Sequence, residues 1–108
     1  MAKTTFVLHD DTVPAGYGDS GDPIDARAYK SGVFYFKATG QPAGNMSFGL
    51  FELDETTGTY TNVAGGIFPS PGGYYRLALD LPGTRYHVEW FAPGAGTHIT
   101  TSLVLEDD

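Results

Sequence analysis

YRLALDLPGTRYHVEWFAPGAGTHITTSLVLE, residues 75–106, decides the fold class. Its apolar side chains fall on every second position: Tyr75, Leu77, Leu79 and Leu81, then Tyr86, Val88 and Trp90, then Ile99, Thr101, Leu103 and Leu105. Side chains of an extended chain alternate between faces, so each run presents one apolar and one polar side. Pro82-Gly83 and Pro93-Gly94-Ala95-Gly96 interrupt the alternation with residues that favour chain reversal. The stretch therefore reads as an antiparallel meander of three strands with one buried face.

The same signals extend toward the N-terminus. Strands are expected at residues 4–8, 24–29, 32–38 (GVFYFKA), 45–53 and 60–63. In 32–38 both faces are apolar, as in an interior strand or one covered by a partner chain. In 45–53 the alternation of Met46, Phe48 and Leu50 slips onto Phe51 and Leu53, which predicts a bulge or bend near Gly49. DETTG at 54–58 closes a hairpin. Two stretches interrupt the strands: the Gly/Asp-rich residues 9–23 and the Gly/Pro-rich residues 64–73, both expected as long exposed loops. No helical period competes. The expected fold is all-β: a single antiparallel β-sandwich over residues 1–108, of about eight strands, jelly-roll or immunoglobulin-like.

Composition limits function. The net charge is −7, and the six Lys and Arg residues are scattered singly among carboxylates. Nucleic-acid binding needs a cationic footprint, so direct DNA or RNA contact is not expected. No cysteine is present, which removes disulfides and thiolate metal sites and fits synthesis in a reducing cytoplasm. The first residues have no apolar signal-peptide core, and no run reaches transmembrane length, so no membrane partner is expected.

Candidate chemistry is sparse. GDSGDP at 18–23 is similar to the segment around the nucleophile of chymotrypsin-like proteases, but a triad needs buried, mutually oriented partners, and this chain is too short for that family's two barrels. Asp10, Asp11, Asp19 and Asp22 lack the alternate spacing of a calcium loop. His87 and His98 are expected on the polar faces of strands that pair, with no third ligand for a metal. Glu52 and Glu89 have nothing to place them on either side of one pocket. No catalytic residue, metal ligand or cofactor is therefore expected. Tyr17, Tyr29, Tyr60, Tyr74, Trp90 and Phe91 admit a carbohydrate-binding reading, although Trp90 is in phase with the core. Exposed aromatics on a small domain more often mark a protein interface.

Taken together, GVFYFKA (32–38), the strand and turn at 48–60, GYYR (73–76), PGTRYHVEW (82–90) and GAGTHITTSLVLE (94–106) resemble the small β-sandwich virion proteins of tailed bacteriophages. The resemblance spans most of the chain. It implies a non-enzymatic structural protein on the capsid surface: a decoration (cement) or minor head protein binding the major capsid protein and itself, as a homotrimer or dimer. Contacts are then expected from a free arm at 1–5 with Thr4 and Thr5, from the loop at 10–23 with Tyr17, and from the loop at 64–73 with Ile67 and Phe68. Phe91, the acidic tail at 106–108 and a sheet face shared by Phe34, Phe36 and Tyr74 complete the expected interface. The alternative is a carbohydrate-binding module or tail-associated adhesion component.

Overall fold

The computed structural model describes residues 3–80 and 84–107. Among them lie nine strands and no helix: β1 (Lys3–Val13), β2 (Gly16–Asp19), β3 (Ile24–Asp25), β4 (Ser31–Thr39), β5 (Met46–Asp54), β6 (Thr59–Phe68), β7 (Gly73–Asp80), β8 (Arg85–Ala92) and β9 (Thr97–Glu106). They form two antiparallel sheets. Sheet A runs β1-β9-β4-β7. Sheet B runs β2-β8-β5-β6, with β3 following β2 along the same side of β8.

The pairings nest. β5 pairs β6, β4 pairs β7, β2 and β3 pair β8, and β1 pairs β9. This is one long hairpin of four ladders, rolled so that successive ladders fall in opposite sheets; β4–β9 and β5–β8 pairing then closes each sheet. That arrangement is a jelly roll, which resolves the choice the sequence left open.

The same nesting overturns the meander. β7, β8 and β9 do not pair with one another: β7 and β9 flank β4 in sheet A, while β8 lies in sheet B. Alternation reports that one face is buried, and it is the same whether the next strand is a neighbour or lies across the core. Pro82-Gly83 lies outside the described residues.

The core fills from both inner faces. β4 contributes Phe34, Phe36 and Ala38, β5 Met46, Phe48 and Leu50, β8 Tyr86, Val88 and Trp90, and β9 Ile99, Leu103 and Leu105, all buried. Phe36 stacks on Phe48 with centroids 4.3 Å apart and planes at 8°, and Phe68 and Tyr75 close on Phe48 at 4.5 and 5.2 Å. Each such pair contributes about 0.5–1.5 kcal/mol beyond its buried area. Phe34, Phe36 and Phe68 are therefore core residues, not the contact residues expected of them. Register explains the error: Phe36 pairs Tyr75, whereas Tyr74 pairs Lys37, so Tyr74 points away from the two phenylalanines.

Both expected loops shrink. β1 continues through Asp10, Asp11 and Thr12, paired to Thr100, Ile99 and His98, and β2 takes residues 16–19. β1 is an edge strand, paired on one side only, so a polar stretch there strands no side chain in the core. β6 likewise runs through Gly65-Gly66 to Phe68, leaving residues 69–72 as the connection to β7. Lys3, Thr4 and Thr5 pair Glu106, Leu105 and Val104, so they belong to a ladder and not to a free arm; Met1, Ala2 and Asp108 lie outside the described residues. The predicted bulge falls between Leu50 and Phe51, with Val63 the extra residue on β6. The 54–58 hairpin is as expected: the Gly58 N–H donates to the Asp54 carbonyl at 2.7 Å, with Gly58 at φ +74°.

Candidate functional site

The two outer faces of the slab, which measures 41 × 32 × 19 Å, differ in kind. On sheet A the register lines up Thr5, Val104, Val33 and Ala78 in one row and Val7, Ser102, Tyr35 and Arg76 in the next. Tyr74 stands beside Tyr35, and the Arg76 guanidinium lies 5.8 Å from the Tyr35 ring centroid. Val7 is 65% exposed and Tyr74 61%. A charged row of Lys3, Glu106 and Asp80 borders this apolar field at one end, and Asp10 and Lys37 border it at the other. A depression of about 300 Å³ opens in this face between Val33, Tyr35, Arg76, Val104 and the charged row of Lys3, Glu106 and Asp80.

Sheet B carries a smaller depression, bordered by aromatic side chains. Its outward residues on β8 are the odd ones, His87, Glu89 and Phe91, because Tyr86, Val88 and Trp90 fill the core. Across the strands, Tyr17, Phe91, Ser47 and Ile67 form one row, and Asp19, Glu89, Gly49 and Gly65 the next. His87 and Phe51 follow, with Asn62 opposite Phe51. The facing pair Gly49 and Gly65 supplies no side chain to the second row. Beside Gly49 lies a hollow of about 210 Å³ lined by Glu89, Asn62, Phe51, Tyr17, Phe91 and Ser47. A Cβ on Gly49 would stand 2.7 Å from the Asn62 amide nitrogen, so the glycine is required for this packing.

Glu89 is the centre of a fixed polar chain. The Tyr17 hydroxyl donates to its Oε1, and His87 Nε2 lies 2.7 Å from its Oε2. His87 is itself buried, its ring stacked on Tyr60 at 3.7 Å and met edge-on by Phe51. Burial raises the Glu89 carboxyl above its ordinary range. Across the rim, Tyr17 and Ile67 are each 65% exposed and Phe91 53%.

The other candidates go elsewhere. His87 and His98 lie in different sheets, which corrects the expectation that their strands pair; His98 Nε2 instead sits 2.9 Å from Asp10 Oδ1. Asp10 is held below its usual range by that contact and by the Thr100 hydroxyl. Asp19 accepts from the Gly21 N–H at 2.8 Å in the opposite sheet from Asp10. The Ser20 hydroxyl accepts from the Val88 N–H at 2.9 Å, tying the 20–23 segment to β8. Among the described residues no three His, Asp or Glu side chains converge as a metal site. Glu89, His87, Asn62 and Gly49 were not singled out as a group by sequence, because their grouping spans three strands. The only local signal was Gly49 at a phase slip.

No family model matches the chain, and no curated protein matches it. Solved structures do. The VP2 protein of infectious bursal disease virus, from its subviral particle, superposes with a TM-score of 0.61 at 14% identity over 96% of this chain. A protein of Bacillus endospore appendages, which form disulfide-linked pili, gives 0.61 at 13% identity, covering 97% of this chain and 86% of its own. PirA gives 0.57 at 14% identity, covering 91% and 92%. The likeness is one of fold. This chain spans about a third of the VP2 chain's length, 32%.

Proposed function

We propose that this chain is a non-enzymatic structural protein of a phage virion, a decoration or minor head protein that lies on the outer capsid surface. The observation that carries the reading is the outer face of sheet A. It is a largely apolar field of Val33, Val104, Val7, Tyr35 and Tyr74, left in water by an isolated molecule and bordered by charges of both signs. An apolar centre within a charged rim matches the anatomy of a protein interface. About 800 Å² on each partner makes a standard specific contact, and repetition around a symmetric shell multiplies a modest affinity. The jelly-roll likeness to VP2 and to the appendage protein, both parts of assemblies, supports the same reading.

On this reading Tyr74 and Thr5 stay in the contact surface, with the shell or a second copy as partner. Tyr17, Ile67 and Phe91 face the other way. The test is association of the purified chain with empty shells of its major capsid protein, followed by co-sedimentation, with light scattering for self-association. Tyr74→Ala paired with Val7→Ser should lose binding while the fold stays intact. A chain that neither binds shells nor self-associates at micromolar concentration would refute the proposal.

A further inference from the structure

The geometry points to a second role for the opposite face: the hollow around Gly49 on sheet B is a binding site for one ring of a neutral, hydroxyl-rich saccharide. The inference goes beyond the structural reading and stands on different residues.

Shape comes first. A hollow of about 210 Å³ opens beside Gly49 on the outer face of sheet B, between Tyr17, Ser47, Phe51, Asn62, Glu89 and Phe91. The hollow is open to solvent and has room for a single sugar-sized ring. The rim comes second. Tyr17 and Phe91 are cross-strand partners whose rings stand more than half exposed beside the hollow. A ring face in water costs free energy to keep solvated, and the C–H face of a sugar covers it while its hydroxyls stay hydrated.

The polar groups decide the ligand class. A carboxylate offers about four acceptor positions, and Tyr17 and His87 occupy two on Glu89. Those two contacts fix its orientation and leave acceptor capacity for ligand hydroxyls. Asn62 adds an amide with both donor and acceptor, and Ser47 a hydroxyl. Preorganised acceptors and donors beside an aromatic platform complement neighbouring ring hydroxyls. They do not complement an anion, which the Glu89 charge and the net charge of −7 repel. A metal is also disfavoured, since among the described residues no third ligand converges. A cationic amine would meet rings on one rim and not a cage of rings around it.

The test is saturation-transfer NMR and backbone amide shift mapping of the intact chain with glucose, galactose, mannose and N-acetylglucosamine, each titrated into the millimolar range. At least one sugar should bind with millimolar affinity and shift the amides of residues 17, 47, 49, 62, 89 and 91. Phe91→Ala should weaken that binding about tenfold, the value of one lost ring contact. Asn62→Ala, at an exposed position, should weaken it severalfold. Tyr74→Ala on sheet A should leave it unchanged, so loss of shell binding and loss of sugar binding are separable. Shifts confined to other residues, affinity indifferent to Phe91→Ala and Asn62→Ala, no sugar bound at all, or choline competing at the same amides would each overturn the assignment.

Discussion

Replacing Gln41 should open the end of the sandwich where the β4–β5 and β6–β7 connections meet. Its side chain is almost fully buried, and Nε2 donates to the carbonyls of Gly44 and Phe68, each at 2.9 Å. The backbone joins in: the Gln41 N–H donates to the Pro71 carbonyl at 3.0 Å, and the Ser70 hydroxyl donates to the Gln41 carbonyl at 2.8 Å. One residue thus ties two connections that are 27 positions apart. Gln41→Ala removes two bonds worth about 1 kcal/mol each and takes the Gln41 donor from the buried Phe68 carbonyl. Loss of the unpaired Oε1 returns part of that. The net expectation is about 2 kcal/mol, or about 10 °C in Tm for a domain of this size. Gln41→Glu is the sharper variant, since its carboxylate keeps the volume but sets negative charge against both carbonyls. Urea denaturation at neutral pH should order the variants wild type, then Ala, then Glu, with an unchanged m-value. Acidification should recover part of the Glu variant's loss, because a protonated carboxyl can donate one bond. A Glu variant as stable as wild type, or an Ala variant within about 0.5 kcal/mol of it, would refute the tie.

Three further outcomes follow from the same geometry. Phe34→Ala should cost about 3–5 kcal/mol in denaturant, as a ring lost from a closed core, whereas Tyr74→Ala should change stability by less than about 0.5 kcal/mol. Comparable losses at both positions would mean the faces are misassigned. Gly18→Ala sets a Cβ 2.6 Å from Nε1 of Trp90, the only tryptophan, and should cost about 1–3 kcal/mol with a shift in its fluorescence. An unperturbed emission spectrum would contradict that contact. Asp25 is bonded to Arg27 through its side chain and backbone, which holds its carboxyl well below the ordinary 3.8. A folded value below the unfolded one gives stability that is present above the unfolded pKa and lost as pH falls through the folded one. Wild type should therefore melt above Asp25→Asn at pH 6, and the gap should close on acidification below pH 3.8; a gap that is constant with pH would remove the charge from the explanation.

Where the sequence succeeded and failed follows from the range of each signal. Trp90 was placed in the core by its spacing from Val88 and Tyr86, a relation within one strand. The turn at Asp54–Gly58 was set by residues that bond one another. Phe34 and Phe36 were misjudged because both faces of β4 are apolar: one meets β5 and β6 across the core, and the other carries the Val33 and Tyr35 field. His87 looked like a surface residue until Tyr60, 27 positions earlier, covered its ring. Glu89 and Asn62 carried no mark of their own.

By itself the sequence determined that this chain forms strands, where most of them turn, and which side chains face inward on strands with a single apolar face. Those properties depend on backbone geometry and on neighbours a few residues away. Only the tertiary structure decided which strands are partners, and hence that the sandwich is a jelly roll with one apolar-centred face and one that sets aromatic rings beside Glu89. The nested ladders join β1 to β9 and β4 to β7 across most of the chain. Pairing at that distance is selected by how all the apolar faces close together, and no local window contains that information.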